Sequence, residues 1–173
     1  VTNQKGGVGK TTTAVNLAAS LAATKRRVLL VDIDPQGNAT MGSGVNKHQL
    51  KASSYDVLMG EATLAQALVK VEASGLTLLP ANSDLTAAEV TLIGAERREA
   101  RLRDALAEAR ADYDYILIDC PPSLNMLTVN ALAAADGVLI PMQCEYDALE
   151  GLSALVATVE RIKQSVNPRL EIE

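Results

Sequence analysis

Aromatic side chains are almost missing from this chain. Of its 173 residues none is Trp or Phe and four are Tyr. Any core must therefore be aliphatic, and an apolar content of 48% supplies the Leu, Val, Ile and Ala to build one. Such a composition suits α/β proteins, whose central strands are buried on both faces and read as aliphatic runs. Cysteine is scarce as well. Cys120 and Cys144 stand far apart, form no C-x-x-C pair, and with the lone His48 give no zinc ligand set. The reading that remains is two reduced thiols in a cytoplasmic protein. No apolar stretch approaches the ~18 residues of a membrane span, and no signal-peptide pattern appears. An excess of positive charge is lacking too. The balance is −5 with a pI of about 5.0, so the chain as a whole is not an obvious binder of polyanions. The length suits one domain with a substantial core, and the expectation is a single domain over 1–173.

Glycine, by contrast, is concentrated at one place. Lys5-Gly6-Gly7-Val8-Gly9-Lys10-Thr11-Thr12 sets its glycines directly ahead of Lys-Thr-Thr, and a helical pattern begins at once. Glycines let backbone N–H groups turn inward around an anion where a Cβ would block the approach. The helix that follows aims its unpaired N–H groups and partial positive charge at the same point. Lys10 would add a full charge on the β/γ-phosphates of a nucleotide, and the Thr11 hydroxyl would ligate Mg²⁺. The general phosphate-loop pattern G-x-x-x-x-G-K-[ST] is met imperfectly, because Gln4 stands where its first glycine belongs. The chain carries instead the deviant form, with an additional lysine, Lys5, at the loop's entrance.

Periodicity organises the rest. Residues 11–24 read as an amphipathic helix with Ala14, Leu17, Ala18, Leu21 and Ala22 on one face. Lys25-Arg26-Arg27 follows, read as a solvated helix end rather than a DNA patch. Val28–Val31 is a buried strand, broken by the loop at Pro35–Asn38. Two short helices are expected on either side of Gly60, then a short strand over 76–79 and a helix over 84–93. A further helix is expected over 97–110, with Leu102, Ala105, Leu106 and Ala109 inward and paired charges outward. Strands at 115–118 and 137–140 flank a helix over 124–134, and a long helix fills 148–165. His48 defaults to the surface. Strands alternating with helices give a three-layer α/β fold of the phosphate-loop NTPase type, a mainly parallel sheet with helices on both faces. Val1-Thr2-Asn3 before the loop and Arg169–Glu173 at the other end read as pieces of strands. The expected domain therefore lacks the start of its first strand and a C-terminal part.

In such sheets ligands gather at the carboxyl ends of the strands. Asp32 and Asp34 end the strand after the first helix, and Asp119 ends the run Tyr115–Ile118. A triphosphate with Mg²⁺ needs an acid near the metal and a second group to orient the attacking water. Asp119, after an aliphatic run, is read as the metal-side acid. Asp34, opening the Pro-Gln-Gly-Asn loop, is read as the water-positioning acid. Asp32 is expected to support the metal's water shell or the loop.

Three stretches carry a family resemblance. Lys5 to Thr12, Val31-Asp-Ile-Asp-Pro-Gln-Gly-Asn-Ala-Thr40 and Ile118-Asp-Cys-Pro-Pro-Ser123, with Ile140 to Gly151 beside them, resemble the ParA/Soj chromosome- and plasmid-partitioning ATPases. The Asp-Pro-Gln-Gly-Asn run separates them from relatives sharing the deviant loop, namely MinD, the nitrogenase iron protein and cobyrinate-type amidases. The C-terminal membrane helix of MinD is not in this sequence, and Cys120 does not stand at the iron protein's cluster position.

The resemblance implies an ATPase working with ATP and Mg²⁺ as a nucleotide-sandwich homodimer. The loop residues Lys5, Gly6, Gly7, Val8, Gly9, Lys10, Thr11 and Thr12 would bind the nucleotide, with Thr11, Asp119 and Asp32 on the metal side. Lys10 would contact the chain's own ATP and Lys5 the partner's. The ATP-bound dimer would bind DNA nonspecifically, in the cytoplasm on the nucleoid, and a ParB-type protein would stimulate hydrolysis. The family continues past Glu173, where adenine contacts and much of the basic surface are expected. Two other readings use the same loop. One is a nucleotide-switched localisation or regulatory module that does not act on DNA. The other is an ATP-dependent amidase or ligase, for which no nucleophile is visible.

Overall fold

The computed structural model describes residues 1–143 and 148–173, with the side chains of 148–150 left out. The elements run α1 (Lys10–Ala23), β1 (Val28–Asp32), α2 (Asn38–Gly42), α3 (Ser54–Met59), α4 (Leu64–Ala67), β2 (Val69–Lys70), β3 (Thr77–Leu79), α5 (Leu85–Ile93), α6 (Arg101–Ala107), β4 (Tyr115–Asp119), α7 (Met126–Ala134), β5 (Gly137–Val138), α8 (Ala148–Ser165) and β6 (Glu171–Ile172). The sheet order is β2-β3-β1-β4, with β5-β6 as a second ladder. All pairings are parallel except β2 with β3. Residues 1–3 bridge the two ladders. The Val1 amino group donates to the Ile118 carbonyl at 2.6 Å, the Cys120 N–H to the Val1 carbonyl at 3.2 Å, and the Thr2 N–H to the Leu139 carbonyl at 3.1 Å. This carries the glycine loop to the middle of the sheet.

The aliphatic strands sort their side chains by parity. Leu29, Val31 and Ile33 from β1 and its exit, Leu79 and Ile118 face a layer built from α3, α4, α5, α6 and α7. Val28, Leu30 and Leu78 face Ala14 and Ala18 of α1 and Ala39 of α2. A third cluster joins Leu132 of α7, Val138, Leu170 and the inner face of α8 at Leu155, Val159 and Ile162. Every residue of β1 is buried, as the run of apolar side chains requires for a central parallel strand. Among the described residues no helix is long and apolar enough to cross a membrane.

Most expected elements are present, and the differences have physical causes. The helix expected over 97–110 starts only at Arg101. Arg97 sits in the left-handed region at φ 52°, and its guanidinium grips the Asp104 carboxylate, so residues before Arg101 form a turn. Two short elements, α2 and β2, have no counterpart in the periodicity; both are too short to show one. The basic triplet ends α1 as expected, but Arg27 is not simply solvated. Its N–H and guanidinium hold Asp114 and draw that carboxyl down to about 2. This pins the start of β1 to the start of β4. His48 is exposed. Between β4 and β5, next to Val1 and Thr2, lies a cavity of about 440 Å³ lined by residues such as Leu117, Ala131 and Val138. Its walls include none of Lys10, Asp34 and Asp119.

One buried polar group was not anticipated from periodicity. Asn130 is fully buried on α7, where it accepts the Leu102 N–H at 3.1 Å and donates to the carbonyls of Arg98 at 2.7 Å and Met126 at 3.0 Å. It therefore supplies the first turn of α6 with a partner that the helix itself cannot. Replacing Asn130 with Leu should destabilise the fold by about 2–4 kcal/mol, because buried backbone groups lose their partners. A thermal unfolding midpoint lowered by roughly 5–15 °C is expected; an unchanged midpoint would show that the staple contributes nothing.

Candidate functional site: a glycine loop and two unlike carboxylates

The loop from Lys5 to Gly9 leads into α1 without a side-chain cap. Gly9 occupies the N-cap position at φ 88°, and Gly7 also lies in the left-handed region at φ 75°. The N-caps of α2, α5 and α6 also make no side-chain cap bond, whereas three helices are closed. Ser53, Thr63 and Asn125 cap α3, α4 and α7 with side-chain oxygens. At α1 the first-turn N–H groups and the positive end of the helix dipole are left for an anion. Asn3 braces the loop's base. It is buried, accepts the Lys5 N–H at 3.0 Å and donates to the Pro141 carbonyl at 2.8 Å. Lys10 is buried and donates from Nζ to the Lys5 carbonyl at 2.8 Å, curling over its own loop. Burial lowers its pKa, opposed by the negative charges of Asp119 and Asp34 nearby.

The three acids expected at the strand ends are brought together, but not on equal terms. Asp32 and Asp119 are register partners across β1 and β4, and both are fully buried. Asp32 is saturated by protein donors. Its Oδ1 accepts the Asp34 N–H at 3.1 Å, and its Oδ2 accepts the Thr40 N–H at 2.8 Å and hydroxyl at 2.7 Å. Burial pushes it up to about 7 against those hydrogen bonds. Of the two roles expected for Asp32, these bonds serve the loop. Neither oxygen of Asp119 has a hydrogen-bond partner among the described residues. The Thr11 hydroxyl lies close enough to favour its charged form without reaching bonding geometry, as does the charge of Lys10. Burial still dominates and raises Asp119 to about 6. Asp34 is buried at the start of its loop, where Oδ1 accepts the Gln36 N–H at 2.9 Å.

An orphaned buried carboxylate beside a threonine hydroxyl fits a magnesium ion that keeps most of its water. No group of three or more His, Cys, Asp or Glu side chains converges on one point among the described residues. Magnesium asks for less, commonly one or two protein oxygens with waters and phosphates completing the octahedron. The second loop, after β4, is anchored away from the site. Asn125 caps α7 and donates to Glu89 of α5, and the Thr128 hydroxyl donates to the Ser123 carbonyl at 2.6 Å. Cys120 is buried, and burial pushes its thiol up to about 11. Cys144 and part of the stretch Ile140–Gly151 lie outside the described residues. Thr40, Asn3 and Asn125 had no role in the sequence reading. The available signal was that each is a hydrogen-bonding residue within a motif stretch, as Thr40 is, or close beside one, as Asn3 and Asn125 are.

A glycine loop that opens an uncapped helix at the carboxyl end of a parallel sheet defines a P-loop NTPase fold. The chain matches the AAA domain family over residues 1–172. It is 57% identical over 175 residues to the chromosome partitioning protein ParA of Caulobacter vibrioides, covering all of this chain and 66% of that protein. It is 52% identical over 173 residues to the sporulation initiation inhibitor protein Soj of Bacillus subtilis, covering all of this chain and 68% of that protein. Among solved structures, cobyrinic acid a,c-diamide synthase from Mycobacterium smegmatis with bound ADP and magnesium matches at a TM-score of 0.94 and 46% identity. That match covers 98% of this chain and 69% of the other. The chain belongs to the ParA/Soj family of partitioning ATPases. It spans 66% of the length of curated relatives such as the ParA of Caulobacter vibrioides.

The bare carboxyl has a measurable signature. Asp119 is raised from 3.8 to about 6, so the fold favours its neutral form. The associated stability is fully present below pH about 4 and is lost as pH rises through about 6. A two-unit shift corresponds to about 3 kcal/mol. In nucleotide- and magnesium-free protein the unfolding midpoint should therefore fall as pH is raised from 5 to 7.5. Asp119→Asn should flatten that slope, leaving the part due to Asp32, which carries the same sign. An unaltered slope in Asp119→Asn would mean that the acid is better solvated than its burial indicates.

Proposed function

We propose that the whole protein carrying this chain is an ATP-driven DNA-partitioning switch, with residues 1–173 as its P-loop ATPase domain. The observation that carries this reading is the buried Asp119 carboxyl, without a hydrogen-bond partner among the described residues, near Thr11 and Lys10 at the mouth of the glycine loop. The loop amides and the open start of α1 bind the phosphates. Lys10 leaves the Lys5 carbonyl for the β/γ-phosphates. Thr11 and Asp119 hold Mg²⁺, directly or through its waters, and Asp32 holds the Asp34 loop behind them. Bound Mg²⁺ neutralises charge developing on the transferred phosphoryl group. Asp34 orients the attacking water.

Two chains close on two nucleotides as a sandwich dimer, and Lys5 reaches across to the partner's ATP. A cation supplied in trans makes hydrolysis depend on dimerisation, much as an arginine finger does. The ATP dimer binds DNA nonspecifically in the cytoplasm, on the nucleoid, and a ParB-type protein stimulates hydrolysis and release. The relatives named for partitioning support this role at family level.

A second reading is favoured by one comparison, the likeness to the diamide synthase of M. smegmatis. There ATP would activate a carboxylate for amide formation. Cys120, the cysteine among the described residues, is buried with a raised pKa and is a poor nucleophile. ATP turnover by the full-length protein that requires cobyrinic acid and an ammonia donor would favour this reading over partitioning.

In the full-length protein, Lys10→Ala should lower ATP hydrolysis by about 100-fold or more. Normal turnover in that variant would remove the ATPase reading. Lys5→Ala should leave the monomer and its nucleotide affinity intact but abolish the rise of specific activity with protein concentration; retention of that rise would remove the trans role. Asp34→Ala should bind ATP normally and hydrolyse it about 100-fold more slowly, which gel filtration would register as a persistent ATP dimer. DNA co-sedimentation with ATP across a salt series tests the partitioning role, and binding that ignores both nucleotide and salt would argue against it.

A further inference from the structure

The loop that carries Asp34 closes on itself at one carboxylate. Asp32, the last residue of β1, accepts the Asp34 N–H on one oxygen and both the N–H and the hydroxyl of Thr40 on the other. Thr40 is fully buried, and its hydroxyl oxygen also accepts the Ala81 N–H at 2.9 Å. The hydroxyl's proton is thus committed to Asp32 and a lone pair to the backbone just beyond β3. Inside the ring the chain makes a tight turn. The Gly37 N–H donates to the Asp34 carbonyl at 2.8 Å. Gly37 itself lies at φ 60°, where a Cβ would stand 2.9 Å from the Ala81 carbonyl oxygen. One segment beyond β3, residue 81, therefore bounds the loop twice: through the Thr40 hydroxyl and through the closed space at Gly37.

We infer that Thr40 is a positioning residue for Asp34. Its hydroxyl locks the Asp32 carboxylate in the orientation that fixes the Asp34 backbone. The direction in which Asp34 presents its acid to the glycine loop is thereby set from β3. The inference rests on the proposed role of Asp34 in orienting water. Without the hydroxyl, Asp32 keeps only backbone donors and can turn, the Ala81 N–H loses its partner, and both ends of the loop loosen together. The bonds that shape the glycine loop, Lys5 N–H to Asn3 and Lys10 Nζ to the Lys5 carbonyl, do not involve this ring. The effect should fall on turnover rather than on nucleotide affinity.

The test uses a graded series in the full-length protein: Thr40→Ser, Thr40→Cys and Thr40→Val. Serine keeps the hydroxyl, cysteine offers a weak donor of similar shape, and valine keeps the shape with no hydrogen bond. Thr40→Val should lower kcat by about 10- to 100-fold with the dissociation constant for ATP changed less than about threefold, a small shift on a scale of tenfold per 1.4 kcal/mol. Thr40→Ser should restore kcat. In parallel, amide hydrogen exchange at residues 34–40 should accelerate about tenfold or more in Thr40→Val while β1 and β4 keep their protection, and Thr40→Ser should match the parent. If Thr40→Val fails to fold, the Ser and Cys variants carry the comparison, with the same ordering expected.

Full turnover in Thr40→Val or Thr40→Cys would overturn the inference. So would a fall in kcat with loop exchange unaltered, or a loss of ATP binding in proportion to turnover. If the parent protein does not hydrolyse ATP, the ATPase reading falls. The exchange arm then decides alone whether Thr40 holds the loop.

Discussion

Two carboxylates stand side by side at the end of one parallel sheet, and the protein treats them in opposite ways. Asp32 receives three hydrogen bonds from the chain, while Asp119 receives none among the described residues. Burying an acid without a partner is costly, and placing two together raises the cost of ionising both. The burden is tolerated because the strands that bring the acids there are anchored in an aliphatic core on both faces. Asp32 is committed to holding a loop. Asp119 is left with capacity for a cation, which is what a nucleotide site with magnesium requires.

The helix starts differ in a similar way. A Ser, Thr or Asn closes the first turn of α3, α4 and α7. At α1 a glycine stands at the cap position and the helix begins open at the end of the glycine loop. Lys10 curls back onto the Lys5 carbonyl, so the loop holds its own cation in reserve. The cavity between β4 and β5 is built from different residues.

Much of this was legible in the sequence because it is local. The glycine loop, the aliphatic runs before Asp32 and Asp119, and the face of α8 at Leu155, Val159 and Ile162 follow from spacing alone. So do the two short helices around Gly60, which ends α3 in the left-handed region. What escaped was set at a distance. Nothing near Arg97 in sequence announces that its guanidinium will close on Asp104 and delay α6. Asn130 serves the backbone at Leu102 and Arg98, on another helix and the turn before it. The bond between Thr40 and Ala81 spans forty-one positions, so the spacing that reveals helix faces and strand ends could not show it. The family resemblance pointed to motif residues but gave no role to those that hold them in place.

The near absence of aromatic rings has a practical corollary. With no Trp anywhere in the chain, its ultraviolet emission comes from four tyrosines only. Met41 lies on α2 immediately after Thr40, and its side chain is 49% open to solvent. An indole substituted there would be the sole such fluorophore in this chain. Changes in its emission would follow the Asp34 loop through each nucleotide state against a dark background.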